Sequence, residues 1–303
     1  MPVRPLEPLL AEKARVELGE DVNRIEEHIR TVKQWIAEQP HLIARTDDQW
    51  LVAFLRGCKY NINKVKKKME LFYNIRSTSP DVYCVKYNEP KIYSLLEMGI
   101  CLIMPKTKIE SADPRVVVYR IGQFQTSKYH MLEFLAVLLL QFQICFMEDD
   151  NVTVSGMVHV VDLLGSGLSH YTQLSLSQIR KMISISQDAA PMRMKGVHYL
   201  NNPYFFETFY RFVRNFMSEK NRKRIHVHSK NYEELYKHVP KESLPVEYGG
   251  SSGTVREIID YWKIKMREYH SWFEEDTKYV VDESKRVKNA SLKSCFKQIN
   301  EID

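Results

Sequence analysis

Residues 196–228 read GVHYLNNPYFFETFYRFVRNFMSEKNRKRIHVH. The two ends, GVHYL at 196–200 and RIHVH at 224–228, are short runs of β-branched and aromatic residues, the composition of strands. Between them the NNP turn leads into helical periodicity over 204–218, at about 100° per residue. Strand, helix and strand in so short a stretch make a crossover unit, and a crossover joins parallel strands. On that helix Phe205, Phe209, Phe212 and Phe216 fall in one stripe flanked by Phe206, Val213 and Met217, with Glu207, Arg211, Arg214 and Ser218 opposite. Such a stripe is ordinarily core packing. Followed by the bases of KNRKR at 220–224, it also fits a greasy lid over a cavity.

The same grammar extends on the N-terminal side. RVVVYRI at 115–121 and MVHVVDL at 157–163 read as further strands, and 131–147 and 175–187 as helices between them. From about residue 90 this alternation predicts an α/β domain with a mainly parallel sheet and flanking helices. The first 77 residues are instead helical in pattern and poor in glycine. Thr46, Asp47 and Asp48 form a helix start before WLVAFLRGC. In NKVKKKMELFYNIR, Val65, Met69 and Phe72 share a face while Lys64, Lys66, Lys67 and Lys68 mostly look outward, as a solvated face. After Gly249 and Gly250, TVREIIDYWKIKMREYHSWFEE reads as one terminal helix, and the charged tail beyond about 276 is expected to be partly disordered. The predicted organisation is a small all-helical domain at 1–77, an α/β domain at 90–255, and a C-terminal helix and tail at 256–303.

A chain of 303 residues, 44% hydrophobic, can bury a sizeable core. Its 44 basic and 38 acidic residues leave a net charge of +6, a mild attraction to anionic surfaces. Cysteines at 58, 84, 101, 145 and 295 are odd in number and never form a CxxC pair, which argues for reduced thiols. The first residues contain no secretory h-region, and QINEID carries no prenylation motif, so a cytoplasmic protein is expected. The sequons at Asn151 and Asn289 mean little in that setting. The apolar run at 131–147 is interrupted by Glu133, Gln141 and Gln143 and reads as a buried helix.

Chemistry is sparse. Asp162, Ser166 and His170 invite a hydrolase reading, but no GxSxG elbow accompanies them, and no enzyme activity is expected. GSG at 165–167 is a turn without the spacing of a nucleotide loop. His226 and His228 point to one face of a strand with no third ligand evident, so no metal and no cofactor are predicted. RMK at 193–195 and KNRKR at 220–224 sit beside an apolar aromatic stripe. That pattern suits an anionic bilayer better than nucleic acid.

FLRGCKYNINKV, DLLG, GVHYLNNP, RIHVH and LPVEYGG, in this order over roughly residues 46–255, resemble the CRAL-TRIO lipid-carrier family, most closely its α-tocopherol transfer protein and retinaldehyde-binding branch. The resemblance implies an apolar pocket for one lipophilic molecule (tocopherol, retinoid or other lipid), closed by a mobile lid helix bearing Phe205, Phe209, Phe212 and Phe216. Positions matching the family's lining are Leu139, Leu140, Gln143, Val161, Leu168, Met182, Ile185, Ala190, Met192 and Val197. The family's phosphoinositide patch falls on Arg193, Lys195, Lys220 and Arg224. A further family base, the second arginine of FLRxR, is Cys58 here, with Arg56 kept and Lys59 adjacent. The implied function is intracellular transfer of a lipophile to or from phosphoinositide-containing membranes. The competing reading is a phosphoinositide-binding scaffold, which Lys64 and Lys66 to Lys68 could serve.

Overall fold

The computed structural model describes residues 2–83, 85–105 and 111–286; Cys84, Cys295 and Asn289 lie outside them. The N-terminal part is helical: α1 (Pro8–Lys13), α2 (Ile25–Ala37), α3 (Asp48–Gly57), α4 (Ile62–Ser77), α5 (Pro80–Tyr83) and α6 (Pro90–Glu97). Asn61 caps α4 by accepting a hydrogen bond from the Lys64 amide. Val65, Met69 and Phe72 face inward, where Phe72 meets Trp50 and Phe54 edge-on. One lysine departs from the solvated-face reading. Position 68 lies where α4 packs on a π-helical turn at Ile185–Ala189, and Lys68 Nζ donates to the Ala190 carbonyl at 3.0 Å.

The sheet has five strands in the order β1 (Cys101–Ile103), β2 (Arg115–Arg120), β3 (Met157–Asp162), β4 (Met194–Leu200) and β5 (Ile225–Ser229). β1 runs antiparallel to β2 and the remaining pairs are parallel. At three residues, β1 is too short to show a periodicity in sequence. The crossovers are α7 (Met131–Glu148) and α8 (Asp150–Val154), then α9 (Leu168–Thr172) and α10 (Leu176–Ser184), then α11 (Phe206–Val213) and α12 (Glu219–Arg222). Because right-handed crossovers step the same way across the sheet, their helices share one face. Phe134 of α7 on Tyr119, and Phe206 of α11 on Tyr199, mark it. α7 has the length and apolarity to cross a membrane, but 72% of it is buried inside the fold. Here it is the core helix.

The chain then forms α13 (Tyr232–Tyr236) and returns to the N-terminal helices through α14 (Val255–Glu268) and α15 (His270–Asp276). The terminal helix read as continuous is broken at Tyr269, and the break turns Trp272 onto Trp50. Asp276, buried, pairs with Arg76 and with Arg45, whose guanidinium also lies 4.1 Å above the Trp272 ring. Arg76 Nη2 donates to the Asp276 carbonyl at 2.7 Å. The tail is fixed as far as residue 286, with Leu42 bridged to Val281.

Candidate functional site

Alternation along the strands sorts the sheet into two faces. Tyr119, Val161, Tyr199 and Val227 are register partners on the crossover side, joined two residues earlier by Val117, His159, Val197 and Ile225. Val161, Val197 and Tyr199 lie on interior strands beneath helices and are still only half-buried. So are all residues from 181 to 188, including Met182 and Ile185. The helices therefore cover these strand positions incompletely, unlike the fully packed interior around them. Of the other predicted lining residues, Leu139 is half-buried, Leu140, Gln143, Ala190 and Met192 are buried, and Leu168 is 58% exposed on α9. A separate cleft of about 480 Å³ includes Asp81, Glu89, Lys91 and Glu133 in its lining. It shares no residue with this set and is too charged to hold a lipophile.

The helix over this face is shorter than its periodicity predicts. α11 ends at Val213, and a 3-10 turn over Arg214–Phe216 completes it. Its buried edge is Phe206, packed on Tyr199 and stacked with Tyr210. Phe205 and Phe209 are half-buried against Tyr171 of α9, with ring centroids at 5.3 and 4.7 Å. Phe216 lies under the Arg180 guanidinium and against Phe212, which is 45% exposed. Tyr204, touching Phe205, is 96% exposed, and Leu164 at the end of β3 is 61% exposed. With Leu168 these form an apolar rim where α9 meets the start of α11.

The predicted basic positions are drawn together at the opposite ends of β4 and β5. Arg193 Nη2 and Lys195 Nζ both reach Glu17, at 3.0 and 3.5 Å, and Arg193 also donates to the Val154 carbonyl. Arg224 donates to the Met194 carbonyl, while Lys220 on α12 is exposed. Burial alone would push the Glu17 carboxyl up, but the Arg193 hydrogen bond and the charges of Lys195 and Lys13 hold it below the usual range. Glu17 belongs to a π-helical turn, Ala14–Leu18, that follows α1. Nothing in the sequence pattern singled it out. Arg56 and Cys58 are buried, and Arg56 is held by Glu20 at 2.8 Å and Asp150 at 2.8 Å.

Residues 98–250, just over half of the chain, match the family described as CRAL/TRIO domain. The chain belongs to that family. Its members are lipid-binding transfer proteins that take small lipophilic molecules. Residues 21–87 match a Pinta-like, UBA domain. Clavesin-2 of Rattus norvegicus and of Homo sapiens are each 28% identical over 285 residues, covering 91% of this chain and 83% of theirs. Clavesin-1 of Xenopus laevis is 26% identical over 248 residues, with 81% and 74% covered. The crystal structure of Sfh5 covers 98% of this chain and 100% of its own at 16% identity, with a TM-score of 0.49.

The far side of the CRAL/TRIO sheet absorbs the polar residues that invited other chemistry. Asp162 accepts hydrogen bonds from Tyr248 Oη, Asn201 Nδ2 and the Leu164 amide. Ser166 donates to the Leu163 carbonyl, and His170 Nε2 meets the Phe124 carbonyl. The three residues make no hydrogen bond to one another among those described. Gly165 adopts φ of 78°, the left-handed turn that leads away from β3. His226 and His228 do have company, since His198 and His238 complete a group whose ring centroids lie 4.6–6.2 Å apart. His198 Nδ1 and His228 Nε2 share a hydrogen bond of 2.9 Å. Gly196 is required beneath them, because a Cβ there would lie 2.7 Å from His198 Nε2. Burial, then the neighbouring rings, pushes His198 down to about 3, and His226 and His228 are lowered as well. No metal-holding group occurs among the described residues. Asn151 is buried, and its side-chain amide donates to the Ser111 and Asp113 carbonyls.

Proposed function

We propose that this CRAL/TRIO protein is a cytoplasmic carrier. It holds one lipophilic molecule between the crossover face of its sheet and α10 and α11, and exchanges it with phosphoinositide-containing membranes. It does so as a binding protein, without catalysis. The observation that carries this reading is the apolar rim of Leu164, Leu168 and Tyr204 beside a helix whose Phe205 and Phe209 are only half-buried and whose Phe212 is exposed. A burial of about 1.5–3 kcal/mol per Phe is then incompletely realised in water and can be completed by ligand or by the bilayer interface. Opening at a membrane is favoured to the extent that the open form binds it better. Arg193, Lys195, Lys220 and Arg224 support headgroup contact, each base near an anionic surface adding about 1 kcal/mol. The sequence likeness to the tocopherol and retinaldehyde carriers supports a single small lipophile.

The test is extraction of the purified protein followed by mass spectrometry, with transfer assays between vesicles with and without phosphoinositide. A stoichiometric lipophile and faster transfer to phosphoinositide vesicles are expected. Because Arg193 and Arg224 also bond backbone carbonyls, the charge test uses Lys195→Ala with Lys220→Ala. That variant should keep its ligand affinity and lose the phosphoinositide response. An empty protein that takes up no retinoid, tocopherol, sterol or phospholipid overturns the carrier and favours the scaffold.

A further inference from the structure

The far side of β5 is faced with imidazole. His226 and His228 point there, while Ile225 and Val227 alternate to the crossover side. Both lie beside His198 of β4, with ring centroids 4.9 and 5.2 Å away and planes within 9° of its own. His238, in the stretch after α13, covers His226 at 4.6 Å. Among the described residues β5 is the edge of the sheet and pairs with β4 alone, and Val227 on its other side is exposed. The imidazole cluster therefore carries a large share of what holds this strand. Few charges temper it. From α13, Glu234 acts on His228 and His238 but is itself tied to Lys237 at 2.6 Å. From β3, His159 acts on His198.

We propose that the four histidines form a proton-operated latch: neutral, they hold β5 on β4, and protonated, they let it go together with the end of the crossover that carries α11. The bond of 2.9 Å between His198 Nδ1 and His228 Nε2 needs one nitrogen to accept. Once both rings are charged both nitrogens donate, and attraction turns to repulsion between like charges about 5 Å apart. Burial, then the neighbouring rings, already holds His198, His226 and His228 below their ordinary value. The open form thus takes up protons that the closed form refuses, so the latch is fully closed above pH 6.5 and loosens as the pH falls. Connectivity passes the change on. α12 ends at Arg222 and β5 starts at Ile225, so the crossover is fastened at this end by β5 and by Arg224 on the Met194 carbonyl. A cytoplasmic leaflet at about −30 mV lowers the pH at its surface by about half a unit, which biases the latch toward opening there. That use at a membrane rests on the carrier reading, whereas the latch itself does not.

The experiment is amide hydrogen exchange of the full chain from pH 7.5 to 5, corrected for the intrinsic rate at each pH. Residues 206–213 and 225–229 should lose protection together below pH 6.5. Their opening constant should rise about a hundredfold per pH unit, the uptake of two protons, while β2 and β3 keep their protection. His198→Leu should cut that rise to about tenfold per unit. His226→Gln, at a half-buried position that leaves the His198–His228 bond in place, should also give a shallower rise than wild type. The wild-type profile needs no variant, so a failure of His198→Leu to fold does not protect the idea. Unchanged protection of 225–229, a loss shared equally by all strands, a loss at β5 without one at α11, or a rise that neither substitution lowers overturns the latch. The carrier reading is judged apart from it, by the lipophile recovered on extraction.

Discussion

On the far side of the sheet Asp162 collects three hydrogen bonds, His198 and His228 complete each other, and Gly196 is kept bare so that a ring can lie over it. One residue away on the same strand, Val161 faces the crossover helices half-buried, and two residues before it His159 keeps a nitrogen without a hydrogen-bond partner among the described residues. One sheet thus carries a finished face and an unfinished one. The comparison teaches where to look for a ligand in such a fold. On this sheet the polar groups of the far side satisfy one another, while the crossover side leaves a ring nitrogen for something else to meet.

The harshest way to break that contrast is at Asp162. Asp162→Ala strands the Tyr248 hydroxyl and the Asn201 amide in a buried network and should cost about 3 kcal/mol in urea denaturation. Val161→Ala on the unfinished face should cost less than about 1 kcal/mol. Equal losses would erase the distinction.

Acid should expose the same asymmetry next. His198, His226, His228 and His159 all have folded pKa values below the ordinary 6.5. Between those values and 6.5 the unfolded chain binds more protons, so stability is complete above pH 6.5 and falls as the pH drops toward 4. The decline approaches about 1.4 kcal/mol per pH unit for a fully buried ring such as His159, and is smaller for His226 and His228, which water partly screens. Denaturation midpoints at pH 7 and pH 5 should differ less in His198→Leu than in wild type. An unchanged difference would place the proton uptake elsewhere.

The lid offers a smaller effect. Phe212→Asp alters an exposed ring, so stability should stay within about 0.5 kcal/mol while vesicle insertion and transfer slow roughly tenfold. A variant that transfers at the wild-type rate would show that α11 does not meet the membrane. The smallest change concerns Glu17. Glu17→Gln removes the carboxylate that occupies Arg193 and Lys195, and should tighten binding to phosphoinositide vesicles about fivefold at low salt, an effect that raised salt diminishes. Unchanged vesicle affinity would mean that Glu17 does not mask the patch.

Sequence pattern captured the elements with clear periods. RVVVYRI and MVHVVDL became β2 and β3, and the stretch from GVHYL to RIHVH became β4, the crossover and β5. It missed β1, too short to alternate, and the break at Tyr269, which tertiary packing of Trp272 imposes on a sequence that reads as one helix. The site was legible as a set of faces. Its contacts were not, because they join distant segments: Glu17 with Arg193, Lys68 with Ala190, and four histidines from two strands and the stretch after α13. A lysine run looks solvated until one member finds a carbonyl more than a hundred residues away.

The clasp of Arg45 and Arg76 on Asp276 sets an order on the making of this protein. Arg76 meets a partner 200 residues downstream, and at about 5–20 residues per second a ribosome needs about 10–40 s to deliver it. Throughout that interval the newborn helical region carries two cations whose native places are buried, and burying them unpaired is costly. The first part of the chain to emerge is therefore among the last to be finished, and a nascent polypeptide stopped before residue 276 should remain a client for chaperones.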